Sequence, residues 1–161
     1  MNRIIMSAAA VTGVMLSQSA SAQSTETANM AVSASVSSVC SVSAGALAFG
    51  EVASSGTTDG TSTLTVNCTG GGAYTVGLGN GLHNVLAQRK LQSGANLLNY
   101  ELFKEVGHTN RWGDTGAELV SGTGSGADQN LTVYGQIASG QTLVSGNGTP
   151  YTDTILVTLT Y

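Results

Sequence analysis

Charge is what this sequence has least of. Its 161 residues include five Lys and Arg against nine Asp and Glu, and 9% of the chain is charged. An acidic chain with so few basic residues has nothing to draw a nucleic acid or an anionic lipid surface electrostatically, so partners of both kinds are excluded. Long apolar runs are missing too. The run from Ile4 to Leu16 is too short for a helix that crosses a bilayer, and no later segment comes near that length, so no membrane insertion is expected. Metal ligands are few: Cys40, Cys68, His83 and His108 are scattered, and a zinc site needs more than they supply together. No cofactor is expected.

With charge so scarce, Ser, Thr, Asn and Gly keep the surface soluble. Extracellular β proteins and disordered chains share that composition, and regular apolar alternation distinguishes the first from the second. Residues 1–22 read as a signal peptide. Arg3 supplies the positive start, Ile4 to Leu16 the apolar stretch, and Ala20-Ser21-Ala22 a small-residue cleavage site before Gln23. The expected mature chain is exported and keeps Arg89, Lys90, Lys104 and Arg111 against nine acidic residues, a net charge of −5. Residues 23–161 suit one domain with one core. In an oxidising compartment Cys40 and Cys68 read as an intrachain disulfide, worth roughly 3.5 kcal/mol on the chain-entropy model.

Period-two alternation dominates the remainder. Ala28, Met30, Val32, Ala34 and Val36 alternate with small or polar residues; so do Leu64, Val66 and Cys68, then Tyr74, Val76 and Leu78. Leu98, Tyr100 and Leu102 form another run, Leu131, Val133 and Ile137 a further one around Gly135, and Ile155, Val157, Leu159 and Tyr161 the last. Gly, Ser, Asn and Asp clusters separate these runs, as at Thr69-Gly70-Gly71-Gly72. Residues 81–92 are expected to form a loop or a short helix. An all-β chain of this length fits a two-sheet sandwich, with a closed barrel as the alternative.

The two ends differ. Tyr161 closes the sequence inside its own strand pattern with no returning strand, whereas Thr27 to Val36 is a strand-like segment ahead of the cysteine-bounded body. A sandwich short of one strand exposes an apolar groove, and an extended segment with side chains at i, i+2 and i+4 can fill it. The same alternation would serve the first strand of the chain's own sheet.

Catalytic chemistry finds little to work with. His83 and His108 lie in polar stretches and are expected to be solvated, and no nucleophile elbow surrounds any serine. Asp114, Glu118 and Asp128 lack the spacing of a calcium loop and read as solvated acids. Trp112 is expected to pack at one end of the sandwich rather than stack on a sugar. Gly70 to Gly72 is a turn, because no phosphate-loop lysine follows. The chain is not expected to be an enzyme.

In their order, MAVSASV at 30–36, VCSVSAGALAFG at 39–50, LTVNCTGGGAYTVGLGNG at 64–81, LLNYELFKE at 97–105, RWGD at 111–114, LTVYGQI at 131–137 and YTDTILVTLTY at 151–161 resemble the spore coat protein U domain family, which includes pilin subunits of archaic chaperone–usher pili. The resemblance implies an incomplete immunoglobulin-like sandwich over 38–161 that lacks its last strand, preceded by a donor-strand segment at 23–37. It places Ala28, Met30, Val32, Ala34 and Val36 in the donor strand and Ile155, Val157, Leu159 and Tyr161 on one wall of the acceptor groove. Cys40 and Cys68 match the family disulfide. The implied partners are other pilin subunits, a periplasmic chaperone and an outer-membrane usher, and the implied product is a surface fibre serving adhesion and biofilm formation. A spore-coat protein and a carbohydrate-binding tip module are the alternatives, since fold does not settle function.

Overall fold

The computed structural model describes residues 23–161 apart from residue 53, so the expected signal peptide, 1–22, lies outside the described residues. The chain divides into two units, Met1–Ser35 and Val36–Tyr161. In the first, residues 23–35 carry no strand and are exposed throughout, with Met30 and Val32 at 85% and 84%.

The second unit is all-β. Its strands are β1 (Cys40–Ala44), β2 (Thr58–Cys68), β3 (Ala73–Leu78), β4 (Lys90–Ser93), β5 (Asn96–Asn99), β6 (Glu101–Phe103), β7 (Val120–Thr123), β8 (Asp128–Ile137) and β9 (Val157–Thr160). They form a four-stranded sheet in the order β1-β2-β8-β6, a three-stranded sheet β7-β3-β9, and the hairpin β4-β5. The arrangement is a sandwich, not a barrel. A single turn of 3₁₀ helix, Gly116–Glu118, precedes β7.

The long antiparallel pair β2–β8 is the spine, in register from Thr58↔Ile137 to Asn67↔Asp128. Opposed residues of an antiparallel pair share a face, so Leu64, Val133 and Ile137 all point inward, and all are buried. Tyr74, Val76 and Leu78 meet them from β3. Burying each of these side chains stabilises the fold by roughly 1.5–3 kcal/mol. Cys40 and Cys68 stand opposite one another across β1–β2 and are disulfide-bonded.

The run Leu98, Tyr100, Leu102 is not one strand. Leu98 belongs to β5, which pairs with β4, and Leu102 to β6, which pairs with β8. The chain changes sheets at Tyr100 while all three side chains stay buried, at 4–5% exposure. Period-two burial therefore continues through the change, and alternation alone cannot reveal it. Of residues 81–92, expected as a loop or a short helix, 81–89 form a loop whose Val85 and Gln88 bridge back to one another, and Lys90 to Gln92 belong to strand β4.

Candidate functional site: an open seam between the sheets

Strands β1 and β9 are each the last strand of their sheet, and they lie beside one another. β2 runs antiparallel to β1, β3 antiparallel to β9, and a tight turn at Thr69–Gly72 joins β2 to β3. β1 and β9 therefore run in opposite directions. A strand entering between them would run parallel to one and antiparallel to the other.

Toward the Ala44 end of β1 the seam opens into a cleft of about 310 Å³. One wall is Ala44 to Leu47 with Phe49; the other is Asp153 to Ile155 with Val157. Core side chains form its floor, among them Leu64, Leu78, Leu102 and Val133. A second hollow, between residues 47–52 and 143–153, shares Leu47, Phe49, Leu91 and Asp153 with the first. An apolar cleft that reaches core residues and is flanked by two free strand edges has the chemistry of a strand-binding site: backbone pairing at its rims and side-chain burial at its base.

Four residues were expected on the β9 wall. Ile155 and Val157 line the cleft, and Leu159 packs against the core opposite Val76. Tyr161 is 60% exposed, one residue past β9. The pattern at Thr154 to Tyr161 yields an assigned strand only over Val157–Thr160, although the Leu156 carbonyl still accepts a hydrogen bond from the Gly79 N–H at 2.9 Å. Ala28, Met30, Val32, Ala34 and Val36 are exposed and lie in no strand.

A buried carboxylate closes one end of the cleft. The Asp153 side chain is 2% exposed. Its Oδ2 accepts from the Tyr100 hydroxyl at 2.7 Å, and its Oδ1 accepts from the backbone N–H groups of Leu82 at 2.9 Å and His83 at 3.3 Å. Burial, then the bond to Asp153, pushes the Tyr100 phenol well above its usual pKa. Gly81 has φ +85°, and a Cβ there would fall 2.0 Å from Asp153 Oδ2, so the carboxylate fits because that residue has no side chain. Asp153 thus pins the start of the β9 wall to the 81–83 loop and to the residue where the chain changes sheets. The sequence holds no local sign of this, because Asp153 lies far along the chain from its partners.

The residues read as solvated are exposed or half-buried, and several also have protein neighbours. His83 Nδ1 lies 3.2 Å from Asp153 Oδ1. His108 packs edge-on against Phe103 and Tyr134 and meets the Gln136 side chain at 3.1 Å. Glu118 binds Arg111 at 2.5 Å, and Asp128 accepts from the Asn67 amide at 2.7 Å. Asp114 is exposed. Trp112 is 1% exposed and its indole N–H donates to the Val76 carbonyl at 3.0 Å; it packs, as expected, but between the sheets rather than at one end of the sandwich. Arg89, in the stretch expected to be a loop or a short helix, is fully buried. It donates to the carbonyls of Leu78, Gly79 and Trp112 at 2.7–2.9 Å and to the Glu101 carboxylate. Among the described residues no cluster of three or more His, Cys, Asp or Glu side chains is arranged to hold a metal ion.

Comparison with known proteins gives this geometry a setting. A chain in the crystal structure of the CsuC–CsuE chaperone–tip adhesion subunit pre-assembly complex, from archaic chaperone–usher Csu pili of Acinetobacter baumannii, aligns with a TM-score of 0.59 at 23% identity. The alignment covers 78% of this chain and 40% of that one, so the present chain spans about two-fifths of its length. The likeness is one of fold, and the sandwich is immunoglobulin-like. Protein U of Myxococcus xanthus is 30% identical over 184 aligned residues that take in the whole of both chains. Residues 26–158, the alternating N-terminal segment included, match the profile of the Spore Coat Protein U domain, and the chain belongs to that family.

Proposed function

We propose that the chain is a structural subunit of an archaic chaperone–usher pilus, exported through the periplasm to the cell surface. Residues 23–37 of one copy occupy the cleft between β1 and β9 of the next. The observation that carries this reading is the cleft itself: apolar, reaching core side chains, and bounded by two free strand edges. The N-terminal segment supplies a matching occupant, since Met30, Val32 and Val36 are 84–86% exposed and recur on one side of an extended chain. Burial of each stabilises the contact by roughly 1.5–3 kcal/mol, and backbone pairing adds to it. A slip of one residue would present Ala31, Ser33 and Ser35, burying hydroxyls without partners, so the register is strongly specified.

Before assembly a periplasmic chaperone fills the cleft with a strand of its own, and an outer-membrane usher is where the next subunit replaces it. The fold shared with a chain of a chaperone–subunit complex supports the chaperone as a partner. Adhesion and biofilm formation are then properties of the fibre. A spore-coat protein built by the same contact is the second reading, favoured by the family's description.

Deleting residues 24–36 should leave a subunit that accepts a strand and donates none, so cells making this variant alone should show no fibres by negative-stain electron microscopy. Val32→Asp should act in the same way, by carrying a charge into an apolar cleft. Fibres at normal yield from the deletion would overturn strand donation, and the protein's location in spores rather than on fibres would favour the second reading.

A further inference from the structure

The cleft wall at Leu47 and Phe49 rests on two glycines. Gly60 of β2 and Gly135 of β8 are direct partners, on the inward face they share with Val133 and Ile137. The pair leaves a bare patch on the sheet, and the segment from Leu47 to Phe49 lies across it. A Cβ at Gly135 would stand 2.9 Å from Leu47 Cδ1 and 3.0 Å from Phe49 Cζ. One at Gly60 would stand 2.9 Å from the Ala48 carbonyl oxygen and 3.1 Å from Leu47 Cδ2. Both sets are tighter than ordinary van der Waals contact, so an added methyl displaces its neighbours. At Gly135 the displaced atoms are the tips of two side chains, and at Gly60 they include backbone. Phe49 also packs edge-on against Tyr100, with ring centroids 5.9 Å apart, which limits sideways movement. The direction left is away from the sheet, into the cleft.

We infer that the Gly60–Gly135 pair sets the depth of the cleft and thereby how tightly it accepts a second copy's N-terminal segment. This rests on the strand-donation reading and adds to it a positioning role for two residues that do not themselves line the cleft. A single methyl at Gly135 raises Leu47 and Phe49 into the space where donor side chains are buried, so acceptance weakens while donation, made by the other end of the chain, is untouched.

The test uses the mature chain and a synthetic peptide of residues 26–37, with affinity read from the rise of the denaturation midpoint with peptide concentration. Gly135→Ala should raise the dissociation constant on the order of tenfold. Adding Leu47→Ala should return most of the lost affinity toward that of Leu47→Ala alone, because one of the two displaced side chains is gone and the Phe49 ring can shift into the space it leaves. Gly122→Ala is the control: its methyl would meet Tyr74 at 2.4 Å in the other sheet, so it should lower stability and leave peptide affinity unchanged. Equal affinity of Gly135→Ala and wild type would overturn the inference, as would equal weakening by Gly122→Ala. If Gly135→Ala fails to fold, the double variant decides, and failure to regain both fold and affinity counts against the glycine pair. A wild-type chain that ignores the peptide would instead remove strand donation itself.

Discussion

The sandwich has two seams where the edges of its sheets meet, and they are finished in opposite ways. On one side β6 and β7 are the edges, and residues 104–119 seal the space between them. Trp112 fills it, donating from its backbone N–H to the Leu102 carbonyl in one sheet and from its indole N–H to the Val76 carbonyl in the other. The Leu78 N–H donates to the Gly113 carbonyl, and Lys104 donates to the carbonyls of Ala117 and Leu119. Behind them, Arg89 and Arg111 converge on Glu101. On the other side none of the described residues forms such an insert between β1 and β9, and core side chains face a cleft. One chain therefore holds both a complete and an incomplete version of the same junction. The sealed seam stands on contacts within the chain, and the open one leaves core side chains lining a cleft.

This contrast breaks first at Trp112. Trp112→Ala should cost about 3–5 kcal/mol of stability, because it empties a fully buried site and leaves the Val76 carbonyl without its donor. Urea denaturation with and without the 26–37 peptide should give the same loss in both conditions. A loss that depended on the peptide would mean that the two seams are not separate. The open seam should behave in the opposite sense. Ile155 is half-buried, so Ile155→Ala should cost roughly 1–2 kcal/mol in the chain alone and more when saturating peptide completes its burial. Equal losses with and without peptide would show that the donor segment makes no contact with this wall.

How much of this is readable in the sequence differs between the seams for a physical reason. The strands, the inward positions and the cysteine pair follow from alternation and from the compartment, because burial on one face of a strand leaves a period of two. The open seam is partly readable in the same way, through Ile155 and Val157. The sealed seam is not. Arg89 looks like a loop cation, since its partners are three backbone carbonyls and a carboxylate on other elements, and carbonyls leave no mark on residue identity. The Tyr100 sheet change is hidden because its side chain stays in the core on both sides of the switch. Asp153 and Gly81 explain each other only once they are placed together. Leu47 and Phe49 stand in a stretch rich in alanine and glycine, and nothing local says that they will form a wall.

The smallest effect lies at the entrance to the sealed seam. Glu105 Oε1 accepts hydrogen bonds from the Thr109 hydroxyl at 2.6 Å and the Asn110 N–H at 2.8 Å, and also from the Thr109 N–H and the Asn110 amide. These bonds favour the ionised form, the Thr109 hydroxyl most of all, and lower its pKa from 4.5 to about 2. A depressed carboxylate pKa means that the folded loop prefers the anion. The contribution is therefore complete above about pH 4.5 and is lost as pH falls toward 2. The Thr109 and Asn110 amide resonances should accordingly titrate with a midpoint near 2 in the wild type and not at all in Glu105→Gln. A midpoint near 4.5 would mean that the carboxylate is not gripped as described, and that the sealed seam is looser at its entrance than its interior contacts imply.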